Sequence, residues 1–260
     1  MSGNGLVSIA ACSETERAAQ AAVVELPLGP DPRSDKLARI HAALIGAFGR
    51  IERLDDKRRD PVWTLVQGVI GAQTRTDISN ASTDALLARY GFWEAVAHAD
   101  IADLQAMLGN QTFPAVAAER LKACLLAIME ERGAVDMRHL SNLPDEEAMD
   151  WLEALPGVGR KIAAGVMNTS VFARRQLVID GHHRRVMQRV GLVPPRADTA
   201  RAYSALMPVL PEEWSAAEID EHHLLVKRLG QVHCRPARPR CDACPIRADC
   251  ETGTGKVPAR

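Results

Sequence analysis

Four of the six cysteines fall within seventeen residues near the end of the 260-residue chain, in the segment CRPARPRCDACPIRADC. Six, two and five residues separate them, whereas Cys12 and Cys124 stand alone. Thiolates grouped in this way are typical metal ligands. Zinc modules more often contain two separate C-x2-C pairs, so the spacing leaves both zinc and an iron–sulfur cluster open. The four are Cys234, Cys241, Cys244 and Cys250.

A lysine in the middle of the chain could act as a nucleophile. Lys161 ends the stretch ALPGVGRK, whose Gly157 and Gly159 would let the backbone approach a ligand closely. A helix that starts at this turn would offer free N–H groups to a phosphate. The helix dipole and partial burial would lower the pKa of Lys161, and a neutral amine can form a Schiff base. The alternatives are an ordinary tight turn and a solvated surface lysine.

An aspartate further along could work with this lysine. Asp180 ends an apolar run and precedes Gly181 in the stretch VIDGHHRRV. At such a position an aspartate caps the next helix, and in a cleft it could act as a base or an electrostatic partner. From the residue alone we favour the capping role.

Charge is distributed unevenly along the chain, although the formal net charge is only −1. Seven arginines between Arg174 and Arg201 accompany two aspartates, and six basic residues between Lys227 and Arg247 accompany one. Such a locally basic surface is compatible with binding to a phosphate backbone, and equally with an ordinary solvated face. No apolar stretch approaches the length of a membrane span, and LVSIAAC near the N-terminus is too short for a signal, so we expect a cytoplasmic protein.

The elements that must position these residues are all predicted to be helices. Aromatic residues are scarce, and apolar residues recur at helical spacing with no long alternating run. The fold class is therefore all-α. The main predicted helices span residues 35–54, 61–73, 77–89, 92–97, 100–108, 117–132, 145–154, 160–172, 181–190, 199–209 and 215–230.

The hairpin with Lys161, the pair Asp180 and His182, and the four cysteines together resemble the endonuclease III family of helix-hairpin-helix DNA glycosylases. The resemblance covers about residues 61–250. It implies a 4Fe–4S cluster on the four cysteines and a catalytic pair of Lys161 and Asp180. The implied fold has a six-helix barrel over residues 54–173. A cluster lobe would combine residues 35–53 with 174–260, and residues 1–34 would form a disordered tail.

The activity implied by the resemblance is base excision repair. Lys161 would attack the sugar C1′ as a damaged base leaves, and β-elimination would then cut the strand. Oxidised pyrimidines in duplex DNA are the expected substrates, and abasic sites are the expected intermediates. We expect a monomer that associates with the nucleoid through DNA. The alternatives are a mismatch or other modified-base glycosylase, a non-catalytic damage-binding protein, and a redox protein.

The same resemblance implies contacts with DNA. Gln73 matches a glutamine that enters the duplex near the target base. The segment NQTFPAVAAERL departs from the family pattern, and Phe113 is its candidate wedge, with a core aromatic as the alternative. His222 and His223 are expected to be structural. The remaining expected contacts are Leu155, Gly157, Gly159, Arg160, His182, Arg235, Arg238 and Arg240.

Overall fold

A computed structural model describes residues 31–51 and 58–256. The part of the chain that it describes is all-α, as predicted, with one isolated bridge between Arg59 and Ser170 and no strand. The helices are α1 (Pro32–Phe48), α2 (Pro61–Ile70), α3 (Thr76–Tyr90), α4 (Trp93–His98), α5 (Ile101–Met107), α6 (Pro114–Arg132), α7 (Asp145–Ala154), α8 (Arg160–Thr169), α9 (Gly181–Val190), α10 (Thr199–Leu206) and α11 (Ala216–Val232).

Most predicted helices lie within a few residues of their observed positions, and three differences matter. α1 begins at Pro32, inside the predicted tail, whose first thirty residues lie outside the described ranges. It ends before Gly49, which adopts a φ of 77°, and so stops short of residue 54. α6 begins at Pro114 because proline suits the first helical position, and Phe113 is therefore its N-cap.

The helices pack around two apolar cores. The first core is built by α2 to α8 and contains, for example, Leu65, Leu121 and Met167. The second core combines α1 with α9, α10 and α11, so that helices from both ends of the described chain share it. No helix in the described ranges is long and apolar enough to cross a membrane.

Close packing of α2 against α8 fixes the first turn of α8. A Cβ atom on Gly68 of α2 would lie 2.8 Å from Cγ2 of Ile162, a distance that normal side-chain contacts do not reach. Ile162 directly follows Lys161 in the chain. The absence of a side chain at Gly68 therefore allows α8 to lie where it presents Lys161 toward the second core's helices.

Candidate active site and nucleic-acid interface

Lys161 and Asp180 lie close enough to interact, where α8 and α9 both pack against α11. Lys161 stands in the first turn of α8 with its side chain exposed. Asp180 is the N-cap of α9, as predicted, and its Oδ1 accepts a hydrogen bond from the His183 amide at 2.8 Å. A third charged residue joins them, because Nζ of Lys227 on α11 lies 3.9 Å from Oδ2 of Asp180.

The electrostatics of this group lower the pKa of the Lys161 amine and that of the Asp180 carboxyl. Desolvation by the surrounding protein lowers the pKa of Lys161 although part of its side chain stays exposed; Asp180 opposes the shift and Lys227 adds to it. Desolvation also acts to raise the pKa of the Asp180 carboxyl. The charge that His223 gains in the acidic range where Asp180 titrates, the hydrogen bond from the His183 amide and the charge of Lys227 outweigh that effect. The pKa of Asp180 is therefore lowered overall.

A buried histidine pair lies behind Asp180. The rings of His183 on α9 and His223 on α11 are stacked, with their Nδ1 atoms 3.3 Å apart. Burial lowers the pKa of each to about 3, so both are neutral at physiological pH and one must donate its N–H to the other. The pair therefore links α9 to α11 without adding charge, which leaves the charge at this site to Asp180, Lys161 and Lys227.

The turn before α8 is compact and partly open to solvent. Gly157 adopts a φ of 79°, which favours glycine, and a Cβ there would lie 3.3 Å from the side chain of Arg120. Gly159 is the N-cap of α8 and is exposed. Because glycine has no side chain, no side-chain cap binds the first amides of α8. The side chain of Leu155, by contrast, is buried in the first core, which leaves only its backbone available to a ligand.

Two further residues that were predicted to contact DNA, Arg160 and His182, interact with other side chains of the protein. Arg160 forms an ion pair with Glu153 at 2.5 Å, and its guanidinium stacks over the ring of Tyr203 at 5.0 Å. His182 is half-buried, with its Nδ1 3.1 Å from Nη2 of Arg185. Both side chains therefore have structural partners that a contact with DNA would have to accommodate.

Gln73 and Phe113 line the same pocket, although they lie forty positions apart in the chain. Phe113 is 48% exposed, so the alternative of a core aromatic is wrong. Gln73 adopts a φ of 55°, which is rare outside glycine and marks strained backbone. Thr112 ties the two loops together: its hydroxyl donates to the Gln73 carbonyl at 3.0 Å, and its amide donates to the Thr74 hydroxyl at 2.9 Å.

The four clustered cysteines line one pocket with apolar neighbours that include Val186 and Leu229. None of the four forms a disulfide. Within the described ranges, no three histidine, cysteine or acidic side chains converge closely enough for a single metal ion. Four thiols that line one shared space are the donor set that an iron–sulfur cluster takes, so the residues fit such a group.

A buried arginine anchors the loop that follows the first of these cysteines. Arg189 on α9 donates from Nη1 to the carbonyl of Arg235 and from Nη2 to that of Pro236, both at 2.7 Å. Its Nη1 also lies 3.4 Å from Sγ of Cys234. The predicted DNA contacts of this loop, Arg235, Arg238 and Arg240, are all exposed. Arg189 therefore tethers a loop whose own arginines face solvent.

Sequence reasoning missed Lys227, Arg120 and Arg189. Lys227 lies four residues after His223, so helical spacing could have placed the two on one face of α11. Nothing in the sequence indicates that this face meets Asp180. Arg120 lines the pocket of Gln73 and also contacts the turn at Gly157, a position set by tertiary packing.

No family model matches the chain. Sequence relatives among known proteins include two endonucleases III and a plant protein. Endonuclease III of Escherichia coli K12 is 34% identical over 131 residues, which are 50% of this chain and 54% of that protein. Endonuclease III of Bacillus subtilis is 27% identical over 195 residues, or 75% and 82% of the two chains. Protein ROS1C of rice is 26% identical over 171 residues, or 61% of this chain. The chain spans about half of the E. coli protein and 9% of ROS1C.

Solved structures share the fold. A non-covalent complex of endonuclease III with DNA matches with a TM-score of 0.68 and 22% identity, covering 86% of this chain and 97% of that one. A thermostable thymine-DNA glycosylase matches with the same TM-score of 0.68 and 16% identity, covering 86% and 100%. The architecture is therefore shared by an endonuclease III bound to DNA and by a thymine-DNA glycosylase.

Replacement of Arg189 by Met should lower the free energy of unfolding by about 3 kcal/mol, because two charge-assisted hydrogen bonds to the loop are lost. Urea unfolding measures the change. Arg196→Met is the matched control, since Arg196 is exposed in the segment after α9 and its replacement should change stability by less than about 0.5 kcal/mol. Equal effects of the two substitutions would contradict the anchoring role of Arg189.

Proposed function

Because the chain belongs to the endonuclease III family of helix-hairpin-helix glycosylases, we propose that it excises a damaged base from duplex DNA and then cleaves the abasic site as a lyase. One observation carries the proposal: an amine with a lowered pKa, Lys161, interacts with a carboxylate, Asp180, directly after an exposed glycine turn. The amine is the nucleophile that a lyase requires, and the turn is a ready site for a phosphate.

Lys161 is the attacking group in the proposed reaction. The neutral Nζ forms a bond to C1′ of the sugar, the glycosidic bond breaks, and its electron pair leaves with the base, which takes up a proton. The attached nitrogen then gives up a proton, the C1′–O4′ bond breaks as O4′ takes up a proton, and the opened sugar is held as a Schiff base. This Schiff base makes a proton on C2′ acidic. Loss of that proton and departure of the 3′ phosphate complete the β-elimination. A base must first leave the helical stack, which costs least where it is already poorly paired.

Asp180 provides the negative charge that this chemistry needs. Positive charge develops on the sugar as the base departs, and a carboxylate held ionised beside the reacting carbon stabilises it. Asp180 is suited to this role because its pKa is lowered and because the His183 amide fixes Oδ1. Its second oxygen, Oδ2, faces Lys227 and would also accept a proton from Lys161 or from water during the reaction.

The proposed DNA contacts fall into two groups. Gly157, Gly159 and the first amides of α8 would bind the phosphate backbone next to Lys161, since free helix amides attract anions. Phe113 would stack into the gap left by the extruded base while Gln73 contacts the orphaned partner base. The tie through Thr112 supports a joint action of these two residues. We propose that the protein acts on duplex DNA as a monomer.

Oxidised pyrimidines are the proposed substrate class. The segment around Phe113 differs from the usual family sequence and stands at the N-terminus of α6, so recognition of a mismatch or another modified base is the alternative. A panel of duplexes carrying single lesions, each opposite all four bases, decides between them. Base release only from a G·T mismatch would replace the first proposal with the second.

A structural 4Fe–4S cluster on Cys234, Cys241, Cys244 and Cys250 completes the proposal. When bound, the cluster would crosslink the segment after α11 and keep the loop of Arg235, Arg238 and Arg240 in place. Arginines presented in this way bind phosphates without reading bases. The cysteines lie away from Lys161 in the chain, and the proposed reaction transfers no electron.

Borohydride trapping tests the nucleophile. The wild-type protein should form a covalent adduct with abasic duplex, and Lys161→Ala should abolish it because no amine is left to form the Schiff base. Asp180→Asn should slow base release by about 100-fold or more, because asparagine retains the helix cap but loses the charge. Denaturing gels measure adduct and strand cleavage.

Asp198→Asn is the matched control for Asp180, since Asp198 caps α10 through the amide of Arg201 in the same way. This variant should retain wild-type rates. Absence of an adduct with the wild-type protein would refute the lyase proposal, whatever the base-release rate.

Phe113→Ala should weaken binding to a duplex containing an abasic analogue by about tenfold, since base stacking on an aromatic side chain contributes about 1–3 kcal/mol. Phe92→Ala is the control, because Phe92 is also exposed, at 59%, but lies between α3 and α4. Fluorescence anisotropy measures both affinities. Indistinguishable losses would show that Phe113 is not the wedge.

Metal analysis tests the cluster. Anaerobically purified protein should contain about four iron atoms per chain and inorganic sulfide. Cys241→Ser should lower the iron content and the stability, whereas Cys124→Ala should retain full iron, since that thiol is buried in the first core. Zinc in place of iron would overturn the cluster proposal without affecting the proposed catalytic pair.

A further inference from the structure

Lys227 is a second amine at the site of the proposed chemistry. Its Nζ lies 3.9 Å from Oδ2 of Asp180, and the side chains of Lys227 and Asp180 are 30% and 12% exposed. An ion pair this sheltered is stronger than a surface pair because water screens it less. Lys161 and Lys227 thus approach one carboxylate from two different helices, α8 and α11.

Among the residues that the structure describes, few charges face Lys161. From α9 it meets Asp180, and from α11 it meets Lys227 and the neutral His223. Nearby on α7 and α10, Glu153 and Tyr203 are engaged with Arg160 rather than with Lys161. α2 contributes no charged residue. The protonation of Lys161 therefore depends chiefly on one carboxylate and one neighbouring ammonium group.

We propose that Lys227 is a positioning residue that makes Lys161 a competent nucleophile at neutral pH. It does so by pairing with Asp180 and by placing a second positive charge next to Lys161. This inference rests on the proposed lyase function. Two ammonium groups near one carboxylate repel each other, so the charge of Lys227 adds to the desolvation that already favours loss of the proton from Lys161. A neighbouring cation is a known means of activating a lysine.

The geometry also indicates which of the two amines attacks. Lys161 is exposed and follows the glycine turn, where a phosphate would bring the sugar within reach. Lys227 lies in the middle of α11 and is paired with Asp180. Lys227 therefore acts through Asp180 and Lys161 rather than on the sugar.

The test is the pH dependence of single-turnover adduct formation on abasic duplex, trapped with borohydride. In Lys227→Met, the positive charge that repels the Lys161 ammonium group is removed. Asp180 also loses its ion pair with Lys227 and interacts more strongly with Lys161. Both effects favour the ammonium form of Lys161. The acidic limb of the pH–rate profile, where the rate rises as Lys161 loses its proton, should therefore shift to higher pH by about one unit. The rate at pH 7 should fall by up to about tenfold. Lys227→Arg keeps the charge and should keep the wild-type limb.

Arg228→Met is the matched control, because it removes one positive charge from the next position of α11, where Arg228 stacks on Phe48 instead. Its acidic limb should not move. A loss of DNA affinity in Lys227→Met with an unshifted limb would assign Lys227 to phosphate binding and overturn the inference.

Peptide mapping of the trapped adduct provides a second readout. The adduct should lie on Lys161 in the wild type and in Lys227→Met. An adduct on Lys227 in the wild type would make it the nucleophile and refute its positioning role. An active wild type with an unchanged Lys227→Met profile would refute this inference alone, whereas an inactive wild type would refute the proposed lyase function.

Discussion

A single sheltered carboxylate, that of Asp180, connects the helices that meet at the candidate active site. Its Oδ1 closes the first turn of α9 through the His183 amide, and its Oδ2 faces Lys227 on α11. A carboxylate removed from water is costly unless it has hydrogen bonds and opposite charge, and both are supplied here by neighbouring helices. The stacked pair of His183 and His223 adds a neutral link between the same two helices. The link between α9 and α11 beside Lys161 therefore depends in part on the ionised state of Asp180.

Local signals predicted the elements well, whereas long-range packing limited prediction of the site. The helix Asp145–Ala154 and the cap at Asp180 follow from periodicity and residue type, and both are as predicted. The start of α6 was predicted three residues late because a proline at the first helical position was read as part of a loop. Lys227 could not be found from the sequence, since its relation to Asp180 is set by how α11 packs against α9.

The cysteine-rich end of the chain is organised without long regular elements. In a helix or a sheet, backbone amides would donate to its backbone carbonyls. Here several of these carbonyls accept hydrogen bonds from arginines of α9 instead. Arg189 binds the carbonyls of Arg235 and Pro236, and Arg185 binds that of Cys234. Guanidinium groups can do this because they carry several donors in a fixed plane. The loop is thus held by the second core's own helix as well as by any group bound to the cysteines.

The Thr112 tie between the loops of Gln73 and Phe113 has a consequence for the rate at which the protein could search DNA. Fixing a free backbone residue costs about 1–2 kcal/mol in conformational entropy, and an untied pair of loops would meet that cost at every encounter. Here the hydroxyl and amide of Thr112 join the loops before any partner arrives. In the role proposed for Gln73 and Phe113, the two side chains would form one preassembled unit, so that each base pair would be sampled without first ordering the protein.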